Sequence, residues 1–235
     1  MTDGPPTSWS TVQTLAGVTL RRLSRGKALW IGAMIAALPL VYAFIVRGHG
    51  AASPAASPDD LFTFVRPLLA LLPGMFIGAS IGEEIEERTS TYLWSRAIER
   101  WVVLAGKLFA LAPIVVGLVV VAWIASTAIL SHAPPTAISC VALAAGALAA
   151  SLTAAGISTV VPKHGMALTT GYMLVDNFIG VLPVSLREVS ITYQAGALAH
   201  LDGGPAVVAT PVIALAVIAA VWGVIGFARI RRLES

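Results

Sequence analysis

Six stretches of this chain run for roughly twenty residues with at most one charged side chain, the length an α-helix needs to cross a hydrocarbon layer about 30 Å thick. They cover Ala28–Val46, Leu61–Gly82, Leu108–Leu130, Ala137–Val161, Gly165–Leu186 and Ala206–Ala228. Between them stand the breakers and charges of loops: RGHGAASPAASPDD (47–60), a charged stretch (83–107), SHAPPT (131–136), PKHG (162–165) and REVSITYQAGALAHLDGGP (187–205). The pattern predicts an all-α polytopic membrane protein with six transmembrane helices in one domain, 1–235, and both termini on one side. Segments 47–60 and 187–205 are then expected on the other side.

Two further periodicities refine this. Ahead of the first span, Val12, Leu15, Ala16, Thr19, Leu20 and Leu23 recur at helical spacing, with Gln13, Arg21 and Arg25 turned away. That predicts an N-terminal amphipathic interfacial helix over 8–27, lying along the membrane surface; a solvated linker whose arginines only set topology is the alternative. In the fourth span Ala142, Gly146, Ala150, Ala154 and Ser158 recur every fourth residue. Small side chains on one face let helix backbones approach closely where lipid removes the hydrophobic drive. This face is expected to pack within the subunit or at a dimer seam, or else simply to meet lipid.

Composition agrees: 57% of residues are hydrophobic and 11% charged, against about a quarter charged in soluble domains, and the mean hydropathy is +0.85. Lys and Arg accumulate on the cytoplasmic side of short loops. With the N-terminus inside, twelve fall there (Arg21, Arg22, Arg25, Lys27, Arg88, Arg96, Arg100, Lys107, Lys163, Arg229, Arg231, Arg232) and three fall outside (Arg47, Arg66, Arg187). The expected location is a bacterial inner membrane, multi-pass, with both termini cytoplasmic. The start MTDGPPTSWS lacks the short basic region of a secretory signal, so no cleavage is expected.

The chemistry on offer is sparse. One cysteine, Cys140, allows no intrachain disulfide. The histidines, His49, His132, His164 and His200, sit in separate loops without a neighbour at metal-ligand spacing. No GxxxxGK[ST] occurs, so the chain is not expected to hydrolyse ATP. The run Glu83-Glu84-Ile85-Glu86-Glu87-Arg88 fits EExxxR, similar to the first motif of intramembrane glutamate proteases. The FxxxH and HxxxN/D patterns that such proteases also need are missing, and a water-activating site needs its partner groups as well as its base. No catalytic residue, bound cofactor or metal is expected.

Charge concentrates between Gly82 and Lys107, where nine of the chain's 27 charged side chains fall within 26 residues. Acidic Glu83, Glu84, Glu86 and Glu87 come first, then Thr89, Leu93, Ser95-Arg96, Arg100 and Gly106-Lys107 opening the third span. Read as a whole, the stretch resembles the cytoplasmic loop between the second and third spans of ABC-2 type permeases, the membrane subunits of ATP-driven exporters. Arg88, Ala97 and Glu99 stand where that family usually has Gly, Pro and Ser, which suggests a more continuous helix here.

The resemblance implies a coupling loop over 83–107 that seats in a separate ABC ATPase subunit, which would hold the ATP and Mg. Docking would use Glu83, Glu84, Glu86, Glu87, Thr89, Arg96 and Arg100 around the apolar anchors Tyr92, Leu93 and Trp94. It further implies a homodimer or pairing with a related permease, contact with membrane lipid and none with nucleic acid. The rival from another class is a membrane scaffold or sensor that docks a soluble partner through the same loop without moving a substrate.

Asp176, beside Asn177 in the fifth span, is the remaining anomaly. An ionised carboxylate at that depth costs at least about 2.5 kcal/mol, so it must face the bundle or a wet cavity. Structural pairing and a polar substrate path through Asp176 and Asn177 both fit. An isosteric Asn is expected to be tolerated there.

Overall fold

A computed structural model describes residues 8–48, 58–86, 99–131, 134–183, 185–199 and 209–232. Every regular element among them is helical. We number the α-helices α1 (Ser8–Arg25), α2 (Lys27–Ala36), α3 (Leu38–Gly48), α4 (Pro58–Pro73), α5 (Ala79–Glu86), α6 (Arg100–Ser131), α7 (Ala137–Val160), α8 (Gly165–Val181), α9 (Ile191–Leu198) and α10 (Ala209–Arg232). A π turn, Gly74–Gly78, joins α4 to α5, and short 3-10 turns precede α8 and α9.

Five helical stretches are long and apolar enough to cross a membrane: Lys27–Gly48, Asp60–Gly82, Arg100–Ser131, Ala137–Val160 and Ala209–Arg232. The outside of the bundle is correspondingly apolar. Trp30 and Met34 on α2 are each 73% exposed and Phe178 on α8 is 74% exposed, a surface that water would not tolerate over this extent and that lipid would. The segment expected as a fifth span is shorter than the sequence suggests. Helix α8 stops at Val181, so its 17 residues rise about 26 Å.

Proline explains where the first two spans are interrupted. Pro39 supplies no N–H to the turn before it, and α2 gives way to α3 at Ala37. Pro73, followed by Gly74, stands where α4 loosens into the π turn. Phe76 of that turn is buried and reaches back to Gly32 of α2, where a Cβ would lie 2.5 Å from its ring.

Helix α7 is the centre of the bundle. Ala142, Gly146, Ala150, Ala154 and Ser158 are all buried, so the small-residue face packs inside the subunit. Gly146 faces Ala195 of α9, Gly156 faces Trp222 of α10, and Ser158 lies against Gly165 at the start of α8. Leu152 meets Gly223, and Gly156 and Thr159 meet Gly226; the ascending pairs make α7 and α10 parallel. Towards α6, the indole Nε1–H of fully buried Trp123 donates to Ser139 Oγ at 3.0 Å.

Helix α6 begins at Arg100, eight residues before the hydrophobic run that predicted it. Its 32 residues rise about 48 Å, well beyond the hydrocarbon thickness. The extra turns carry α1. Gly106 lies under Val12 and Leu15, where a Cβ would be 3.0 Å from the Leu15 side chain. Trp9 packs edge-on against Phe109 with centroids 5.6 Å apart. Nine pairing with 109, and twelve to sixteen with 106, makes the two helices antiparallel. Val12 and Ala16 are buried in this contact and Leu15 half-buried, whereas Leu20 is exposed.

The widest departure from expectation is 187–205. Residues 191–199 within it are not an exposed loop: Ile191, Thr192, Ala195, Leu198 and Ala199 of α9 and its end are buried against α7, α8 and α10.

Candidate functional site

Helix α8 carries the polar residues singled out in the sequence, and the two ends of α8 form two different sites. At its C-terminal end Asp176 is 5% exposed. Its carboxylate accepts the backbone N–H of Ile191 at 2.8 Å and of Thr192 at 3.0 Å. The hydroxyls of Thr192 at 2.9 Å and Ser190 at 3.1 Å donate to the same carboxylate. Ile191 and Thr192 open α9, so these are the amides a helix N-terminus leaves unpaired. The next one, Tyr193 N–H, is taken by Ser190 Oγ at 3.1 Å.

Asp176 is thus a cap supplied from a neighbouring helix, with its negative charge at the positive end of α9. Gly180, one turn on, makes room: a Cβ there would lie 2.9 Å from both Ser190 Oγ and Thr192 Oγ1. Gln194 Nε2 donates to the Glu188 carbonyl and closes the connection from behind. Asn177 is only partly buried, but its Oδ1 is buried and has no hydrogen-bond partner among the described residues.

The N-terminal end of α8 is held by shape. Gly74, Gly78 and Gly82 recur every fourth residue through the π turn and α5, facing α8 and the turn before it. A Cβ at Gly74 would lie 2.5 Å from Thr170 Oγ1, one at Gly78 3.2 Å from Met166 Cα, and one at Gly82 2.7 Å from the Pro162 carbonyl oxygen. The last two obstacles are backbone, which cannot rotate away. Alongside this seam runs an open groove of about 570 Å³, with Gly78, Ala79 and Gly82 on one wall and Lys163 to Ala167, Thr170 and Leu174 on the other.

The seam is also tied to α6. Lys107 Nζ donates to the Ser80 carbonyl oxygen on α5. The Gly106-Lys107 pair therefore has two structural roles, admitting α1 with the glycine and bonding the second span with the lysine.

Of the residues expected to dock an ATPase, Glu83, Glu84 and Glu86 lie on the last turns of α5 and Arg100 opens α6. Glu87, Thr89, Tyr92, Leu93, Trp94 and Arg96 lie outside the described residues, as do the side chains of the three glutamates. Glu99, just before α6, accepts the indole N–H of Trp101. Among the described residues no three His, Cys, Asp or Glu side chains gather as a metal-binding group.

Two features of the site were missed in the sequence reading although each left a signal. The glycine seam is written as GxxxGxxxG directly after Pro73, a spacing known for close helix approach. Helix α9 is announced by Ser190 ahead of an apolar run, an N-cap residue in the right place. No protein-family model matches the chain, and no curated protein matches it in sequence.

Proposed function

We propose that this chain is the membrane-spanning permease subunit of an ATP-binding cassette exporter of the ABC-2 type, driven by a separate ATPase subunit that holds ATP and Mg. The observation that carries the reading is the Lys107–Ser80 bond. It joins the two helices that flank the charged stretch, so a push on 87–98 is delivered to the second and third spans together. The helical arms support the same picture, since α5 continues to Glu86 and α6 starts at Arg100, one on each side of the charged stretch.

Six crossings underlie the proposal. The parallel run of α7 and α10 supports one crossing between them, and α8 with its preceding 3-10 turn is the element proposed for it. Both termini are then cytoplasmic, in the inner membrane of a bacterium, and α1 sits at the cytoplasmic face along the start of α6. Two such permeases, identical or related, would assemble with two ATPases, bathed in lipid and without nucleic acid. The chain itself is not an enzyme; its part is rigid-body displacement of helix groups around a path.

Asp176 takes a structural place in this reading, as the cap of α9. Its carboxylate already accepts four hydrogen bonds, three of them on Oδ2. The buried Asn177 Oδ1, without a partner among the described residues, is a second polar acceptor at this level.

Co-purification with the ATPase encoded beside this chain tests the proposal. Wild type is expected to retain the ATPase, and the triple variant Tyr92→Ala, Leu93→Ala, Trp94→Ala to release it while still reaching the membrane, because central aromatic anchors dominate such contacts. Undiminished retention by the triple variant overturns docking at this loop.

A further inference from the structure

The groove beside the glycine seam changes character along its length. At its mouth Lys163 and His164 are both exposed, and neither side chain makes a hydrogen bond or ion pair with another described residue. The first turn of α8 opens directly below them and presents the positive end of a 17-residue helix. From there Met166, Thr170 and Leu174 follow at successive turns of one face, about 12 Å of wall, with one hydroxyl in an otherwise apolar row. The opposite wall is Gly78, Ala79 and Gly82, which project almost nothing into the space.

A cavity that is cationic at the membrane surface, apolar below it and open along its side matches one class of occupant: an amphiphile with an anionic head and a hydrocarbon chain. The geometry points to a binding site for an anionic phospholipid, with its phosphate at Lys163 and His164 and an acyl chain along Met166 to Leu174. Free phosphate shares the headgroup chemistry but would leave the apolar wall uncovered. No lining residue is acidic, although Glu83 and Glu84 follow Gly82 along α5, so the charge felt at the mouth is the quantity to measure. The inference rests on the membrane placement proposed above and not on transport or the ATPase.

The test is native mass spectrometry of the purified full chain in detergent, titrated with dioleoyl phosphatidylglycerol or dioleoyl phosphatidylcholine, with no ATPase or nucleotide present. Wild type is expected to hold the glycerol lipid about fivefold more tightly, the factor that one well-placed cation supplies at an anionic headgroup. Lys163→Ala with His164→Ala should abolish the preference. Leu174→Trp should weaken both lipids by filling the apolar channel, and Lys27→Ala, an exposed cation elsewhere, should change nothing. Equal affinity for the two lipids in wild type, or a preference that survives loss of Lys163 and His164, overturns the proposal. Displacement of the lipid by inorganic phosphate at concentrations no higher than the lipid's own would overturn the lipid as occupant, since the acyl chain would then add nothing to binding. Because no ATPase takes part, a negative result leaves the exporter reading standing, and failure of ATPase docking leaves this one standing.

Discussion

Helix α8 is attached to the rest of the bundle by a carboxylate at one end and by the absence of side chains at the other. At the Asp176 end four donors from α9 and its cap converge on two oxygens, at 2.8 to 3.1 Å. At the Gly165 end Gly74, Gly78 and Gly82 bring backbone against backbone, with no side-chain hydrogen bond across the seam among those described. Hydrogen bonds are directional and costly to leave unmade in an apolar medium, so the first attachment sets one register and resists slipping. Close packing without side chains is held by dispersion alone, where each atom pair contributes little. The second attachment therefore determines how near the helices come while allowing them to shift along each other. A π turn lies in the second attachment and not in the first.

Five substitutions break or sharpen this contrast. The largest effect belongs to Asp176→Leu, which strands two backbone N–H groups and leaves the Ser190 and Thr192 hydroxyls only the backbone carbonyl of residue 176 and each other. At about 1–3 kcal/mol for each buried donor without a partner, unfolding in detergent should show a loss of roughly 3–5 kcal/mol. The same substitution should raise hydrogen exchange at Ile191 and Thr192 before any other part of the bundle. Asp176→Asn should lie between Leu and wild type, with a loss of about 1–3 kcal/mol. Its amide is isosteric but brings one acceptor and a donor to a place where every neighbour donates. Tolerance of Asn, as polarity alone would suggest, would mean that the clasp needs shape and not charge.

At the other end Gly82→Ala sets a methyl 2.7 Å from the Pro162 carbonyl oxygen, so overpacking should cost about 1–3 kcal/mol. No side-chain change nearby should rescue it. Gly74→Ala is predicted to cost about 1 kcal/mol, because its obstacle is the movable Thr170 hydroxyl, and Thr170→Ala should restore stability. A thermal-shift series on the two single variants and the double variant separates the cases. The smallest effect is Gly117→Ala in α6, where a Cβ meets nothing within 4 Å. It should be neutral or stabilising by up to about 1 kcal/mol from helix propensity, and a loss there would show that the bundle packs differently around α6.

Much of the architecture was legible from the chain alone, for a definite reason. The hydrocarbon layer imposes one length scale and one composition, so a charge-free run such as Leu108–Leu130 announces a helix without any tertiary information. The fourth-residue repeat from Ala142 to Ser158 likewise offered a packing face, and the burial of all five residues decides for it over a lipid-facing stripe. Hydropathy is blind to helices that continue past the apolar layer. It placed the start of α6 at Leu108 because Arg100 and Lys107 are charged, although backbone hydrogen bonding continues through them, stabilised by contact with α1.

Asp176 and α9 mark what only the tertiary structure decided. The sequence by itself determined that Asp176 must turn inward, since lipid cannot solvate it, and left open what it would meet. The eight residues Ile191–Leu198 are too few to span a membrane, so they read as loop. They become a buried helix because α7 offers Gly146 and its small neighbours as a floor and α8 supplies a carboxylate for the exposed amides. Neither group lies within ten residues of α9 along the chain. A cap contributed by another helix leaves no local pattern, and that is why folding, and not periodicity, had to reveal it.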